Sequence, residues 1–163
     1  MQQGILIAQL LTLLAVANGT PVIAAKLLGK ERATPLDGNA TLSDGRPLFG
    51  SSKTIRGVIL SVAITTACAP LVGLDWEVGF VVALGAMIGD LFSSFVKRRI
   101  GMSASSKFVG WDQIPESLFP LLACMALLPL TPLSVVIATF LFFVGALVLS
   151  RVFFKLNIRD RPY

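Results

Sequence analysis

Asp90 stands inside a run that begins at Trp76 and is otherwise almost wholly apolar. It is followed by Ser93 and Ser94, and then by Lys97, Arg98 and Arg99. About six residues, or about 9 Å of helix, separate it from that basic cluster. An ionised carboxylate at such a depth in hydrocarbon is costly and marks a functional site by default. Asp90, Ser94 and Lys97 are spaced i, i+4, i+7 and form one polar stripe along a helix. A second carboxylate, Asp112, comes just ahead of Ile114-Pro115, where it could either cap a helix or face Asp90. Two carboxylates together with phosphate oxygens are what Mg²⁺ asks for. The stretch DGRPLFGSSKTIRG, residues 44–57, puts glycines and hydroxyls beside Lys53 and Arg56, the ingredients of a phosphate cradle. It is not a Walker A loop, because two serines separate Gly50 from Lys53. The chain has no histidine. Chemistry therefore falls to carboxylates, Lys, Arg, Ser, Thr, Asn and an oxygen-preferring metal.

The elements that must carry these groups are membrane helices. The chain has 163 residues, is 55% hydrophobic and has a mean hydropathy of +0.80, far from a soluble domain. Apolar runs cover about 4–28, 55–74, 78–96, 114–130 and 133–154. Each has the length needed to cross about 30 Å of hydrocarbon. The expected fold is all-α: a polytopic membrane protein of about five transmembrane helices in one domain spanning 1–163, with loops 29–54 and 97–113 on one side. Pro115, Pro120 and Pro129 make the fourth span the most interrupted. In the first span, Asn18-Gly19-Thr20-Pro21 predicts a kink or unwound turn, with Asn18 either satisfying the freed backbone or lining a cavity. Gly85 and Gly89 form a small-xxx-small pair suited to close helix packing.

Charge sets the expected orientation. All 14 Lys and Arg residues fall in 26–56, in 97–113 or in the tail after 150, whereas the short connections between spans carry only Asp75 and Glu77. By the positive-inside rule the N-terminus is outside and the C-terminus cytoplasmic, in a cell membrane. The same asymmetry accounts for the +5 net charge without nucleic acid. Ala15-Val16-Ala17 resembles a signal cleavage site, but no basic segment precedes it, so the first run reads as a span. Cys68 and Cys124 fall inside spans and read as buried free thiols.

Three motifs occur in order: PLFGSSKTIRG (47–57), GDLFSSFVKRRIG (89–101) and Asp112-Gln113, with Asn18 and Pro21 ahead of them. Together they resemble the CDP-archaeol synthase family, a short five-span branch of the phosphatidate cytidylyltransferases. The His-Gly-Gly segment of the larger bacterial enzymes is absent, as in the short branch. The resemblance implies CMP transfer from CTP to a lipid phosphate with Mg²⁺ (or Mn²⁺) and release of pyrophosphate. On that reading Asp90 and Asp112 hold the metal. Lys53, Arg56, Lys97 and Arg98 bind the phosphates, and Asn18, Thr54 and Ser94 complete the nucleotide or metal site. Lys53 and Lys97 join the two aspartates as the catalytic set. The lipid could be an archaeal ether lipid or a phosphatidate, and the oligomeric state is open. The competing readings are a small-molecule or ion transporter with Asp90 as coupling carboxylate, and a non-catalytic scaffold.

Overall fold

A computed structural model describes residues 2–29, 33–103, 106, 108 and 110–156. Lys30, Arg32, Lys107, Arg159 and Arg161 of the basic set lie outside the described residues, as does most of 103–107. Five α-helices follow one another: α1 (Gln2–Leu28), α2 (Ile55–Cys68), α3 (Trp76–Arg99), α4 (Gln113–Cys124) and α5 (Pro132–Lys155), with a 3₁₀ turn at Pro70–Val72. Among the described residues, four segments are long and apolar enough to cross a membrane: Gln2–Leu28, Ile55–Val72, Trp76–Arg99 and Pro132–Val152. Their outward faces carry large apolar side chains, among them Ile59, Phe80, Val136 and Phe140, each more than two-fifths exposed. Lipid, not water, suits such a surface. The core is apolar, built on Leu10, Leu13 and Leu14 of α1, Val82 and Ala86 of α3, and Leu121 of α4.

Polar contacts sort the helix ends. Gln3 Nε2 donates to the Pro129 carbonyl (2.7 Å), and Ser134 Oγ donates to Gln3 Oε1 (2.7 Å). Gln9 Nε2 donates to the Val72 carbonyl (2.7 Å). The starts of α1 and α5 and the turn after α2 therefore share one end. The opposite end collects the start of α2, the end of α3 and the segment leading into α4. There Arg56 Nη2 donates to the Gly29 carbonyl (2.6 Å) and Arg99 pairs with Asp44 (2.6 Å).

Two departures from the sequence expectation have local causes. The fourth run, expected over about 114–130, is helical only over Gln113–Cys124. Twelve residues rise about 18 Å, short of the bilayer core, and turns follow from Met125 onward. Leu128 precedes Pro129, a position that disfavours helix. The second departure is in α1, which runs unbroken through Pro21. Proline leaves the Ala17 carbonyl without its helical donor, and Ser61 Oγ of α2, itself fully buried, donates to it at 2.7 Å. Asn18 Nδ2 donates to the Leu14 carbonyl (3.0 Å).

Candidate active site

The site begins with a glycine. A Cβ at Gly89 would lie 2.2 Å from the Pro115 carbonyl oxygen and 2.7 Å from the Glu116 nitrogen; one at Gly85 would lie 2.7 Å from Pro120 Cα. The small-xxx-small face of α3 thus lets the α4 backbone rest directly on it. Pro115 is tolerated in the first turn of α4, where no N–H is needed. This contact brings the start of α4 beside Asp90, and Glu116 comes close enough for the two carboxyls to interact directly.

Loop 33–54 supplies the facing group. It folds back on itself through Leu36 N–H to the Lys53 carbonyl (2.7 Å) and Leu48 N–H to the Ala40 carbonyl (2.9 Å). Asp37 is its internal anchor. Its Oδ2 accepts from the Phe49 and Gly50 N–H groups, both at 2.9 Å, and its Oδ1 accepts from Asn39 N–H (3.0 Å). Burial alone would raise the Asp37 carboxyl, but these backbone donors outweigh it and hold the pKa below 3.8. Gly50, at φ +93°, makes the turn that follows. The loop is tied to α3 by a reciprocal arginine pair. Arg99 binds the Asp44 carboxylate and donates to the Pro47 carbonyl (2.5 Å), and Arg46 Nη1 donates back to the Arg99 carbonyl.

The result is that Lys53 Nζ lies 2.5 Å from both oxygens of Asp90, each side chain about one-fifth exposed. Burial works against the Lys53 ammonium, but Asp90, with Glu116 and Asp112 behind it, more than offsets that and raises its pKa. Asp112 sits at the α4 N-cap position but does not cap the helix. Its Oδ2 accepts from Phe108 N–H (3.1 Å), and its Oδ1 faces Lys97 Nζ at 2.8 Å, an ion pair outside hydrogen-bonding geometry. Lys97 also donates to the Ser106 carbonyl (3.0 Å).

Lys53, Asp90, Lys97, Asp112 and Glu116 line one cavity of about 1240 Å³. Asn18, Lys53, Thr54, Arg56, Asp90, Ser94, Lys97, Arg98 and Asp112, singled out in the sequence, all border it. Thr54 is also the α2 N-cap, its hydroxyl accepting from Gly57 N–H (3.1 Å). Arg98 is 4% exposed; Nη1 donates to the Met102 carbonyl (2.6 Å) while Nε has no partner among the described residues. The sequence reading missed Glu116 and did not foresee the Lys53–Asp90 pair. Glu116 is four residues past Asp112, on the same face of α4, and that spacing was the available signal. From α1 and α5 the wall is apolar, with Leu11, Ala15, Val22, Phe142, Val148 and Val152. One chamber therefore joins a charged end to a greasy side.

The donors present suit a divalent cation that prefers oxygen. Asp90, Asp112 and Glu116 border the same space, but among the described residues no three acidic side chains are set to cage an ion by themselves. That fits Mg²⁺, which usually takes one or two carboxylates and completes its shell with phosphate oxygens and water.

Comparison with known proteins agrees with the motifs. The sequence profile of CarS-like CDP-archaeol synthases matches residues 3–163. The CDP-archaeol synthase of Sulfurisphaera tokodaii is 32% identical over 91% of this chain and 89% of its own. Those of Sulfolobus acidocaldarius and Pyrococcus furiosus are 37% and 39% identical over 61% and 60% of this chain; the chain spans 60% of the length of each of these two. A solved structure described as an intramembrane enzyme for archaeal membrane lipids biosynthesis superposes with a TM-score of 0.74. It is 31% identical and covers 86% of this chain and 89% of its own.

Proposed function

Because this multi-pass membrane chain belongs to the CDP-archaeol synthase family, we propose that it transfers CMP from CTP to a membrane lipid phosphate and releases pyrophosphate. The observation that carries this is the two-natured cavity. Lys26, Lys53, Arg56, Lys97 and Arg98 face three carboxylates at its charged end, and apolar residues of α1 and α5 line its side. Five cations against three anions suit a polyanion that arrives with a metal. The greasy wall suits acyl or isoprenoid chains.

The reaction brings two anions together. A lipid phosphate oxygen attacks the α-phosphorus of CTP in line, and the bond to the β-phosphate oxygen breaks. The phosphate monoester is already ionised at neutral pH, so no base is needed and the absence of histidine is no obstacle. Positioning and charge neutralisation carry the catalysis. Arg98, held on the Met102 carbonyl with Nε unpartnered, is placed to donate to a phosphate. Arg56, resting on the Leu28 and Gly29 carbonyls, and the buried Lys97 add positive charge to the cavity wall. Asn18 and Ser94 offer neutral hydrogen-bonding groups in the wall. Asp90 and Asp112 would hold Mg²⁺ (Mn²⁺ an alternative); when bound, the metal neutralises phosphate charge and stabilises the departing pyrophosphate. The one-sided basic residues support placing this end at the cytoplasmic face, where CTP is, with the N-terminus outside.

Purified protein in detergent, given CTP and Mg²⁺, should release pyrophosphate only when a lipid phosphate is added. A panel of ether-linked and ester-linked lipid phosphates identifies the substrate. Absence of release with every member would remove the transferase reading.

A further inference from the structure

The two lysine–aspartate pairs in the cavity differ in how firmly they are held. Lys97 is pinned: it contacts one oxygen of Asp112 and also donates to the Ser106 carbonyl, while the other Asp112 oxygen is taken by Phe108 N–H. Lys53 Nζ instead bonds to Asp90, covering both carboxylate oxygens at 2.5 Å. Its main chain is fixed, with N–H to the Gly50 carbonyl (3.1 Å) and its own carbonyl accepting from Leu36 (2.7 Å). The mobile part is the four-carbon stem, which ends in a compact point charge.

A divalent cation held by Asp90 would compete for oxygens that the ammonium now covers and would meet it at close range. The two cations repel strongly at that range, so one must leave. Building on the transferase reading, we propose that Lys53 is an exchangeable counter-ion, holding Asp90 until the divalent cation enters and then passing to a phosphate of the nucleotide. No bond is made or broken in this step; one ion pair replaces another. The consequence is coupling. Cation alone binds weakly because it must displace the ammonium from its closest anion with nothing of comparable charge offered in exchange. Cation and CTP together bind well because the nucleotide receives the ammonium. Each then raises the other's affinity by the same factor.

The test uses the whole chain in detergent and Mn²⁺ as probe, with bound ion measured by electron paramagnetic resonance. No lipid phosphate is added, so turnover plays no part. Lys53→Met should bind Mn²⁺ alone about tenfold more tightly than the unaltered protein, and the enhancement of Mn²⁺ binding by CTP should shrink at least tenfold. Lys53→Arg should restore part of that enhancement. Equal or weaker Mn²⁺ binding by Lys53→Met overturns the proposal. A second measurement needs no variant: the rate at which an amine-acylating reagent modifies Lys53, read by peptide mass spectrometry. Mn²⁺ alone should speed modification several-fold and CTP should then suppress it; no change with Mn²⁺ overturns the exchange. Asp90→Asn separates the two levels of the argument. If it loses Mn²⁺ while Lys53→Met behaves as the unaltered protein, the metal clamp stands and the exchange is wrong. If Asp90→Asn binds Mn²⁺ normally, the clamp itself fails, and the exchange with it.

Discussion

Replacing Gly89 with alanine should cripple the site by way of the backbone. The added Cβ would lie 2.2 Å from the Pro115 oxygen, 2.4 Å from its carbonyl carbon and 2.7 Å from the Glu116 nitrogen. Ordinary contact begins at 3.4 Å, so the first turn of α4 would have to retreat by about 1.2 Å. No flexible side chain can absorb this, since every atom met is main chain. Overpacking typically costs about 1–3 kcal/mol, and this case belongs at the upper end. The retreat also carries Asp112 and Glu116 away from Asp90. A misplacement of about 1 Å can lower a rate about 100-fold. Gly4 is the control, because a Cβ there meets nothing within 4 Å. Gly4→Ala should be neutral or stabilise by up to about 1 kcal/mol. Thermal melting in detergent reads the stability, and pyrophosphate release reads the rate. Full activity in Gly89→Ala with an unchanged melting temperature would refute the close α3–α4 contact as the element that assembles the site.

Asp90→Asn and Asp112→Asn should each lower transfer by about 100-fold or more with melting temperatures shifted only a few degrees, measured by the same two assays. Ser61→Ala should destabilise by about 1–3 kcal/mol, since it orphans the Ala17 carbonyl that Pro21 cannot serve; adding Pro21→Ala returns an N–H and should recover part of the lost melting temperature. Asp37, whose pKa is lowered in the folded loop, stabilises fully above the ordinary value of 3.8 and loses that contribution as pH falls through the lowered value. Limited proteolysis of loop 33–54 should therefore accelerate on acidification below about pH 4, and Asp37→Ala should be cleaved rapidly at neutral pH as well.

Much of the architecture was legible because membrane helices announce themselves by length and apolarity. The Asp90–Ser94–Lys97 stripe and the Gly85–Gly89 pair were legible because helical periodicity fixes which residues share a face. What escaped depends on contacts between distant segments. The partner of Asp90 is Lys53, 37 residues away, and only the Asp37-anchored loop fold brings it there. Helix α1 stays whole because Ser61, 44 residues on, serves Ala17; a proline read within its own helix gives no hint of such a donor. Helix α4 is shorter than the apolar run it belongs to because apolarity reports burial, whereas Pro129 and the turns before it decide conformation. Glu116 was passed over as part of a helix start, although its i+4 relation to Asp112 placed it on the face that turns to Asp90.

The central claim is that this cavity moves CMP, and label transfer tests it most directly. With CTP labelled at the α-phosphate, the account predicts radioactivity in the extracted lipid; with label at the γ-phosphate, it predicts radioactivity in pyrophosphate and none in lipid. Asp90→Asn should show neither. Label from the γ position in the lipid, or α label that never leaves the aqueous phase whatever lipid phosphate is supplied, would contradict it.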